Sequence, residues 1–299
     1  MKRVLILGGC GYLGSALFLH LKDQYQVDTV DLTWFGNPVN PANQKRDYRD
    51  LSAAELKNYD SVVLVAAHSS APMCTNDRIG AFRNNCLNFI ELLSKLTGQQ
   101  LIYASSSCVY NGAGAVPVTE DWSYFRPTDD LTISKLIMDG YAPMSKVEYY
   151  GLRFGSVSGY SPNFRGDLMI NRMTYCAMKE GKLNVFNGSA FRPILGIRDL
   201  TRAVSKILEG GDRRGIYNVA SFNARIIDIA EAVAARFGAK VESIEGPPTY
   251  DFSIDSTKFQ RTFDITLEET VDTIIDGLIQ NKDSLRLTDR NVPPHGDYR

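Results

Sequence analysis

Three regularly spaced glycines near the start of the chain carry its plainest chemistry. Gly8-Gly9-Cys10-Gly11-Tyr12-Leu13-Gly14 has the spacing GxxGxxG, between the apolar run Val4–Leu7 and a helix-like stretch from Leu13 to Lys22. A strand that ends in such a turn and opens a helix presents free backbone N–H groups, which bind phosphate. Gly8 permits the tight turn, Gly11 lets a pyrophosphate approach the backbone, and Gly14 lets the helix pack against the strand. An acid, Asp31, follows about 20 residues on, at the end of a second strand-like run. It can accept hydrogen bonds from an adenosine ribose. The turn with Tyr12 and Leu13, together with Asp31, predicts a dinucleotide site and favours NAD over NADP.

The elements that must position this turn alternate along the chain. Val27–Asp31, Ser61–Ala66, Leu101–Ser105 and Val147–Arg153 read as strands, and Ile79–Leu96 and Leu131–Ala142 as helices. Unbroken apolar runs rich in β-branched residues suit strands covered on both faces. Their alternation with helices implies a parallel sheet with right-handed crossovers. Gly, Ser, Pro and Asn then crowd Gly155–Gly166, which reads as a loop. Helical patterns recur at Leu168–Lys179, Leu200–Glu209, Ile226–Phe237 and Leu267–Ile279, with short strands between. The predicted fold class is α/β: a Rossmann-type, doubly wound parallel sheet over residues 1–165. A smaller, mostly helical substrate lobe occupies 166–299, and segments of it can return to the first sheet. The polar stretch Asp289–Arg299 reads as an arm or tail.

Composition narrows the function classes. A formal net charge of −1 over 299 residues argues against nucleic acid or a membrane surface as partner. No apolar run approaches the roughly 20 residues that span a bilayer. The N-terminus enters its first strand without a signal-peptide pattern, so a cytoplasmic location is expected. Cys10, Cys74, Cys86, Cys108 and Cys176 form no CxxC pair and are odd in number, which fits reduced thiols. His20, His68 and His295 are far apart, so no metal site is expected.

Further motifs follow the glycine turn. They are Arg46-Asp47-Tyr48-Arg49-Asp50, Val65-Ala66-Ala67-His68, Tyr103-Ala104-Ser105-Ser106-Ser107-Cys108-Val109-Tyr110 and Ser134-Lys135. Leu152-Arg153-Phe154-Gly155 through Gly159, Arg165-Gly166-Asp167 with Asn171, and Arg192 followed by Asp199 complete the series. The series spans nearly the whole chain and resembles the extended short-chain dehydrogenase/reductase family, the nucleotide-sugar epimerases and dehydratases. That resemblance implies an NAD-bound enzyme working on a nucleoside diphosphate sugar. Asp47 and Tyr48 would meet the adenine, and Ala66, Ala67, His68 and Asn85 would lie along the cofactor. Lys135 would hold the nicotinamide ribose, and Ser106 would bond the reacting oxygen. Ser69, Ser70 and Asn171 would contact substrate, and Arg192 would hold its diphosphate. The resemblance also implies a homodimer paired through Ile79–Leu96 and Leu131–Ala142.

One departure bears on the chemistry. Oxidising a sugar alcohol by hydride transfer requires a base for the hydroxyl proton, and the family uses a tyrosine four residues before the lysine. Here that position is Leu131. Three readings are open. Another group can substitute: Ser106, Ser107, Cys108, Thr132, or one of Tyr110, Tyr124 and Tyr160. The chain can be an inactive form of a tyrosine enzyme. Or it can bind cofactor without redox turnover, as a sensor or silent subunit. Cys108 resembles the thiol of enzymes that epimerise carbons 3 and 5 of GDP-sugars. The acidic pair of 4,6-dehydratases is absent, because Ser107 and Cys108 stand in its place. Near Tyr250–Ser256, where relatives often carry a nucleotide-binding arginine, the chain reads Tyr250-Asp251-Phe252. The leading expectation is an epimerase or dehydrogenase working through a 4-keto sugar.

Overall fold

The computed structural model describes residues 1–287 and Arg290. Apart from Arg290, the predicted arm Asp289–Arg299 lies outside the described residues. Thirteen strands are formed among them. β1 is Arg3–Leu7, β2 Gln26–Val30, β3 Ser61–Leu64, β4 Gln100–Ser106, β5 Gly114–Val118, β6 Glu148–Phe154 and β7 Ser156–Ser158. β8 is Lys182–Phe186, β9 Phe191–Gly196, β10 Gly215–Val219, β11 Phe222–Arg225, β12 Lys240–Ile244 and β13 Phe252–Ile254.

The main sheet has six strands in the order β10-β6-β4-β3-β1-β2, and every pairing in it is parallel. Beyond β2 only a single bridge, Val30 to Gln44, extends the edge. The order reverses at β1, where β2 and β3 leave on opposite sides. At such a point the loops after the strands diverge and leave a crevice at their carboxyl ends. Side chains alternate between the two faces. Val4 and Ile6 pack with Leu17, Leu21, Leu200 and Val204, and Leu5 and Leu7 face Phe89, Leu92 and Met138. Both faces are therefore dry, which is why the strands read as unbroken apolar runs.

Two segments of the far half return to this sheet. β10 pairs with β6, and the helix Ile197–Leu208 packs beside the first helix, Tyr12–Leu21. The remainder gathers round a third core made by the helices Met169–Glu180, Ile226–Phe237 and Val271–Gln280. This part holds more strand than expected: β7, β9 and β11 form one small sheet, β8 and β12 another, and β13 pairs with β5. β8 reads Lys182-Leu183-Asn184-Val185-Phe186 and alternates buried with exposed, a period too short-lived to stand out in the sequence. The last helix begins at Val271, later than the predicted Leu267, because Thr270 caps it by accepting from the Thr273 backbone N–H.

The helix expected over Ile79–Leu96 is interrupted. Arg78–Phe82 and Asn88–Lys95 are α-helical, and Arg83–Leu87 between them forms a π-turn. Asn85 sits in that wider turn and points inward, where it accepts from the His68 N–H and donates to the His68 carbonyl.

A buried ionic network ties three strands to one helix. Arg153 on β6 donates through Nε to Asp139 Oδ2 at 2.7 Å, and both side chains are almost fully buried. Tyr103 on β4 donates to the other carboxylate oxygen at 3.0 Å. Arg153 also donates to the Tyr110 hydroxyl, which in turn donates to Asn218 on β10 at 2.9 Å. Asp139 belongs to the helix Asp130–Tyr141, which also bears Leu131 and Lys135. Removing one member of a buried pair strands the other charge. Arg153→Met is expected to lower the unfolding free energy by about 3–5 kcal/mol in urea titration. Adding Asp139→Leu should restore most of it, since an apolar pair needs no compensation. A near-zero effect of the single change would refute this role.

Candidate functional site

A cleft of about 600 Å³ opens at the carboxyl ends of β1, β2, β3 and β4 and runs under the far half of the chain. Its first wall is the glycine turn. Gly8 has φ +90, and a Cβ there would meet Ala66 N at 2.5 Å. A Cβ on Gly14 would meet the Gly8 carbonyl oxygen at 2.0 Å. Both positions therefore require glycine for the fold itself. Gly11 differs, because a Cβ there would touch only the Gly8 oxygen, at 3.4 Å, and otherwise project into open space. Gly11 is also the N-cap of the first helix, and no side chain caps that end. The helix thus offers free N–H groups to the cleft.

Asp31 lines the cleft beside this turn. Its carboxylate accepts from the Cys10 N–H at 3.0 Å and the Thr33 N–H at 2.6 Å, and burial raises its pKa. Asp47 and Tyr48 extend the wall. Asp47 pairs with Arg49 at 2.8 Å, and the Tyr48 hydroxyl donates to the Asn84 carbonyl. Tyr12 and Leu13 complete this end, and the Tyr12 hydroxyl donates to Gly159 O at 2.8 Å.

The opposite wall gathers the groups able to react. Ser106 closes β4, and its Oγ accepts from the Cys108 N–H at 3.2 Å. Lys135 and Leu131 lie one helical turn apart, so both reach the same wall. The Lys135 ammonium is buried and donates to Ala104 O at 2.6 Å; desolvation lowers its pKa. Ser105 and Ser107 also line the wall, and the buried Ser105 hydroxyl has no hydrogen-bond partner among the described residues. Cys108 is buried with Cys74, Ala81 and Leu131, and burial pushes its thiol pKa up. That opposes the thiolate that proton shuttling would need.

Farther along, Arg192 lines the cleft on β9. One guanidinium nitrogen donates to Ser156 Oγ at 2.9 Å and another to Thr249 Oγ1 at 3.4 Å, while its Nε is buried without a partner among the described residues. Burial lowers its pKa, and no carboxylate pairs with it among the described residues. Ser69 and Ser70 border the same space. Ser69 accepts from Arg165, which is paired with Asp167, and Ser70 caps the helix Ala71–Asn76.

The sequence pattern of the NAD-dependent epimerase/dehydratase family matches residues 4–220. The chain belongs to that family. A probable dTDP-glucose 4,6-dehydratase of Sinorhizobium fredii is 25% identical over 91% of this chain and 90% of its own length. Among solved structures, the NAD-dependent NDP-hexosamine 5,6-dehydratase TunA superposes with a TM-score of 0.84 at 20% identity, covering 97% of this chain and 100% of that one. The UDP-glucuronic acid 4-epimerase of Bacillus cereus, solved with UDP-glucuronic acid and NAD, gives 0.82 at 21% identity, covering 95% and 100%. These two likenesses establish a shared Rossmann-type fold.

NAD is the cofactor of this family, and the residues present fit it. An uncapped helix N-terminus, an open face at Gly11 and an acid at Asp31 provide for a diphosphate and a ribose. Ala66 and Ala67 line the cleft between that end and Lys135.

Three expected contacts stand elsewhere. His68 and Asn85 do not line the cleft. His68 is fully buried, with Nε2 3.2 Å from Asp77, and Asn85 bridges its backbone to Ser134 Oγ at 3.1 Å. They brace the helix that carries Lys135. Asn171 is likewise buried away from the cleft. It accepts from the Gly159 N–H and donates to Arg165 O, so it fastens the loop between β7 and its own helix. Sequence pattern alone cannot distinguish a buried polar brace from a ligand contact.

Conversely, Tyr250 lines the wall beside Leu131 and Cys108, although no motif marked it for the reacting centre. Of the tyrosines named as substitutes, Tyr110 is held by Arg153 and Asn218, and Tyr124 is 62% exposed beside Arg126. Neither these nor Tyr160 lines the cleft.

The glycines separate fold from binding. Gly11→Ala should leave thermal stability nearly unchanged and weaken NAD binding about tenfold or more, as titration calorimetry would read. Gly14→Ala should destabilise the protein by about 1–3 kcal/mol or more. Unaltered NAD affinity in Gly11→Ala would exclude this turn as the diphosphate site.

Proposed function

We propose that this chain is an NAD-dependent enzyme of nucleoside diphosphate sugars, an epimerase or dehydrogenase that passes through a 4-keto sugar. The observation that carries the reading is the pairing of two anion sites across one cleft. The glycine turn accepts one diphosphate, and Arg192, half-buried and without an acidic partner among the described residues, is built for another. A cation left uncompensated in a buried site stores the electrostatic gain for an incoming anion. Ser106 and Lys135 lie on the wall between the two.

When bound, NAD supplies the acceptor for a hydride from the sugar carbon. The protein must do the rest. Ser106 orients the reacting oxygen through its hydroxyl, and Lys135, fixed on Ala104 O, holds the nicotinamide ribose. Arg192 anchors the substrate diphosphate with Ser156 at its side. Ser69 and Ser70 flank the sugar. Leu131 moves no proton, so the base comes from another residue. The raised thiol pKa of Cys108 speaks against chemistry of the 3,5-epimerase kind. The names of the similar proteins, covering both epimerases and dehydratases, support oxidation at the sugar as the shared step.

A homodimer is part of this proposal. Ile79, Phe82 and Leu87, on the interrupted helix, and Ile133 and Tyr141, on the neighbouring one, are exposed apolar residues on adjacent elements. Such a surface suits self-association.

Purified protein incubated with UDP-, GDP-, dTDP- and CDP-sugars should convert at least one of them, followed by NADH absorbance and product retention. Arg192→Ala should weaken binding of that nucleotide sugar roughly 10- to 100-fold with NAD affinity retained. Silence across the panel would leave a cofactor-binding protein without redox turnover.

A further inference from the structure

Leu131 leaves the reacting wall without its expected proton acceptor, yet a phenol stands there. Tyr250 enters from the segment before β13 and packs its ring on the cluster of Cys74, Cys108 and Leu131. It lines the cleft with Ser106 and Lys135. Its hydroxyl donates to Asp129 Oδ2 at 2.5 Å, across 121 residues of sequence. Asp129 is the N-cap of the helix that bears Leu131 and Lys135, and it also accepts from the Thr132 N–H at 2.9 Å and the Thr132 hydroxyl at 3.1 Å. Its carboxylate is thus fixed behind Tyr250 and does not itself line the cleft. The Arg192 guanidinium lies 5.3 Å from the ring centroid and ties the phenol to the substrate end.

We propose that Tyr250 is the catalytic acid/base of this enzyme and relays the substrate's hydroxyl proton to Asp129. The proposal rests on the sugar-oxidising reading above. Oxidised NAD, when bound, would accept the hydride as the carbon–hydrogen bond breaks. The substrate O–H bond breaks and its proton passes to the Tyr250 oxygen. The proton already on Tyr250 moves to Asp129 Oδ2, and the carbon–oxygen double bond forms. Reduction from the other face reverses each transfer, so Tyr250 and Asp129 end as they began. Burial, Cys108 and Asp129 hold the phenol pKa up, so Tyr250 keeps its proton at rest and acts as a conduit. Asp129 is the positioning residue that gives the conduit its direction.

The test compares wild type, Tyr250→Phe, Asp129→Asn and Asp129→Glu, each loaded with NAD, on UDP-glucose, UDP-glucuronic acid, dTDP-glucose and GDP-mannose. Tyr250→Phe should cut kcat by about 10²–10⁴-fold. Calorimetry on the same protein should show the nucleoside diphosphate bound as in wild type. The extra affinity contributed by the sugar should fall roughly three- to tenfold. Asp129→Asn should lower kcat at least about tenfold with KM held within about threefold, and Asp129→Glu should recover part of it. Turnover in Tyr250→Phe within about threefold of an active wild type would overturn the relay alone, as would loss of its NAD binding or folding, which would make Tyr250 structural. A wild type that neither converts these sugars nor binds them better than their nucleotides would overturn the sugar-oxidising reading, and the relay with it.

Discussion

The buried pair of Arg153 and Asp139 sets the spacing on which the reacting wall depends. Both charges are out of water, so each must be satisfied by fixed partners. Tyr103 supplies the second bond to Asp139, and Tyr110 takes the second bond from Arg153. The result locks the helix Asp130–Tyr141 against β4 and β6 with little freedom to slide. Ser106 is the last residue of β4, and Lys135 lies one turn before Asp139 on the helix. A shift of that helix by one turn would carry Lys135 away from Ala104 O and out of the wall.

A second constraint shapes the cleft from the far side. Asp199 and Glu269 form a buried exchange in which each carboxylate accepts from the other's backbone N–H. Asp199 also accepts from Ser221. This fastens the returning helix Ile197–Leu208 to the segment before Val271–Gln280. Nearer the cofactor end, Ser161 donates to Tyr12 O and Asn163 to Cys10 O, so the loop after β7 is tied directly to the glycine turn. Arg290 reaches the same place, donating to Phe164 O and lying over the Phe35 ring. The far half is therefore not an independent cap. Its loops share hydrogen bonds with the cofactor wall.

Together these constraints separate two properties that usually travel together. The cofactor wall is centred on the turn after β1 and is completed by Asp31, Asp47 and Tyr48 from the segments after β2. The reacting wall is assembled from three separate parts of the chain: the end of β4, the helix Asp130–Tyr141 and the segment at Tyr250. A substitution such as leucine at position 131 can alter the second without touching the first. The space around Leu131 then admits a ring from a distant segment, since close packing leaves few voids unfilled.

The sequence alone determined the parallel sheet and the glycine turn that closes its first strand, and it placed a leucine four residues before Lys135. These are local signals: apolar runs, fixed spacings and residues a turn apart. It could not distinguish Asn85, His68 and Asn171 as braces, because an inward-facing polar residue looks the same whether it meets a ligand or a backbone group. Nor could it find the π-turn at Arg83–Leu87 or the small sheets of the far half, whose strands are too short to show a period. Tyr250 was visible only as a missing arginine. Its meeting with Asp129 depends on how β13 pairs with β5 and carries the preceding segment across the cleft, and such long-range pairing has no local signature. The tertiary structure decided that contact, because only the folded chain brings positions 129 and 250 together.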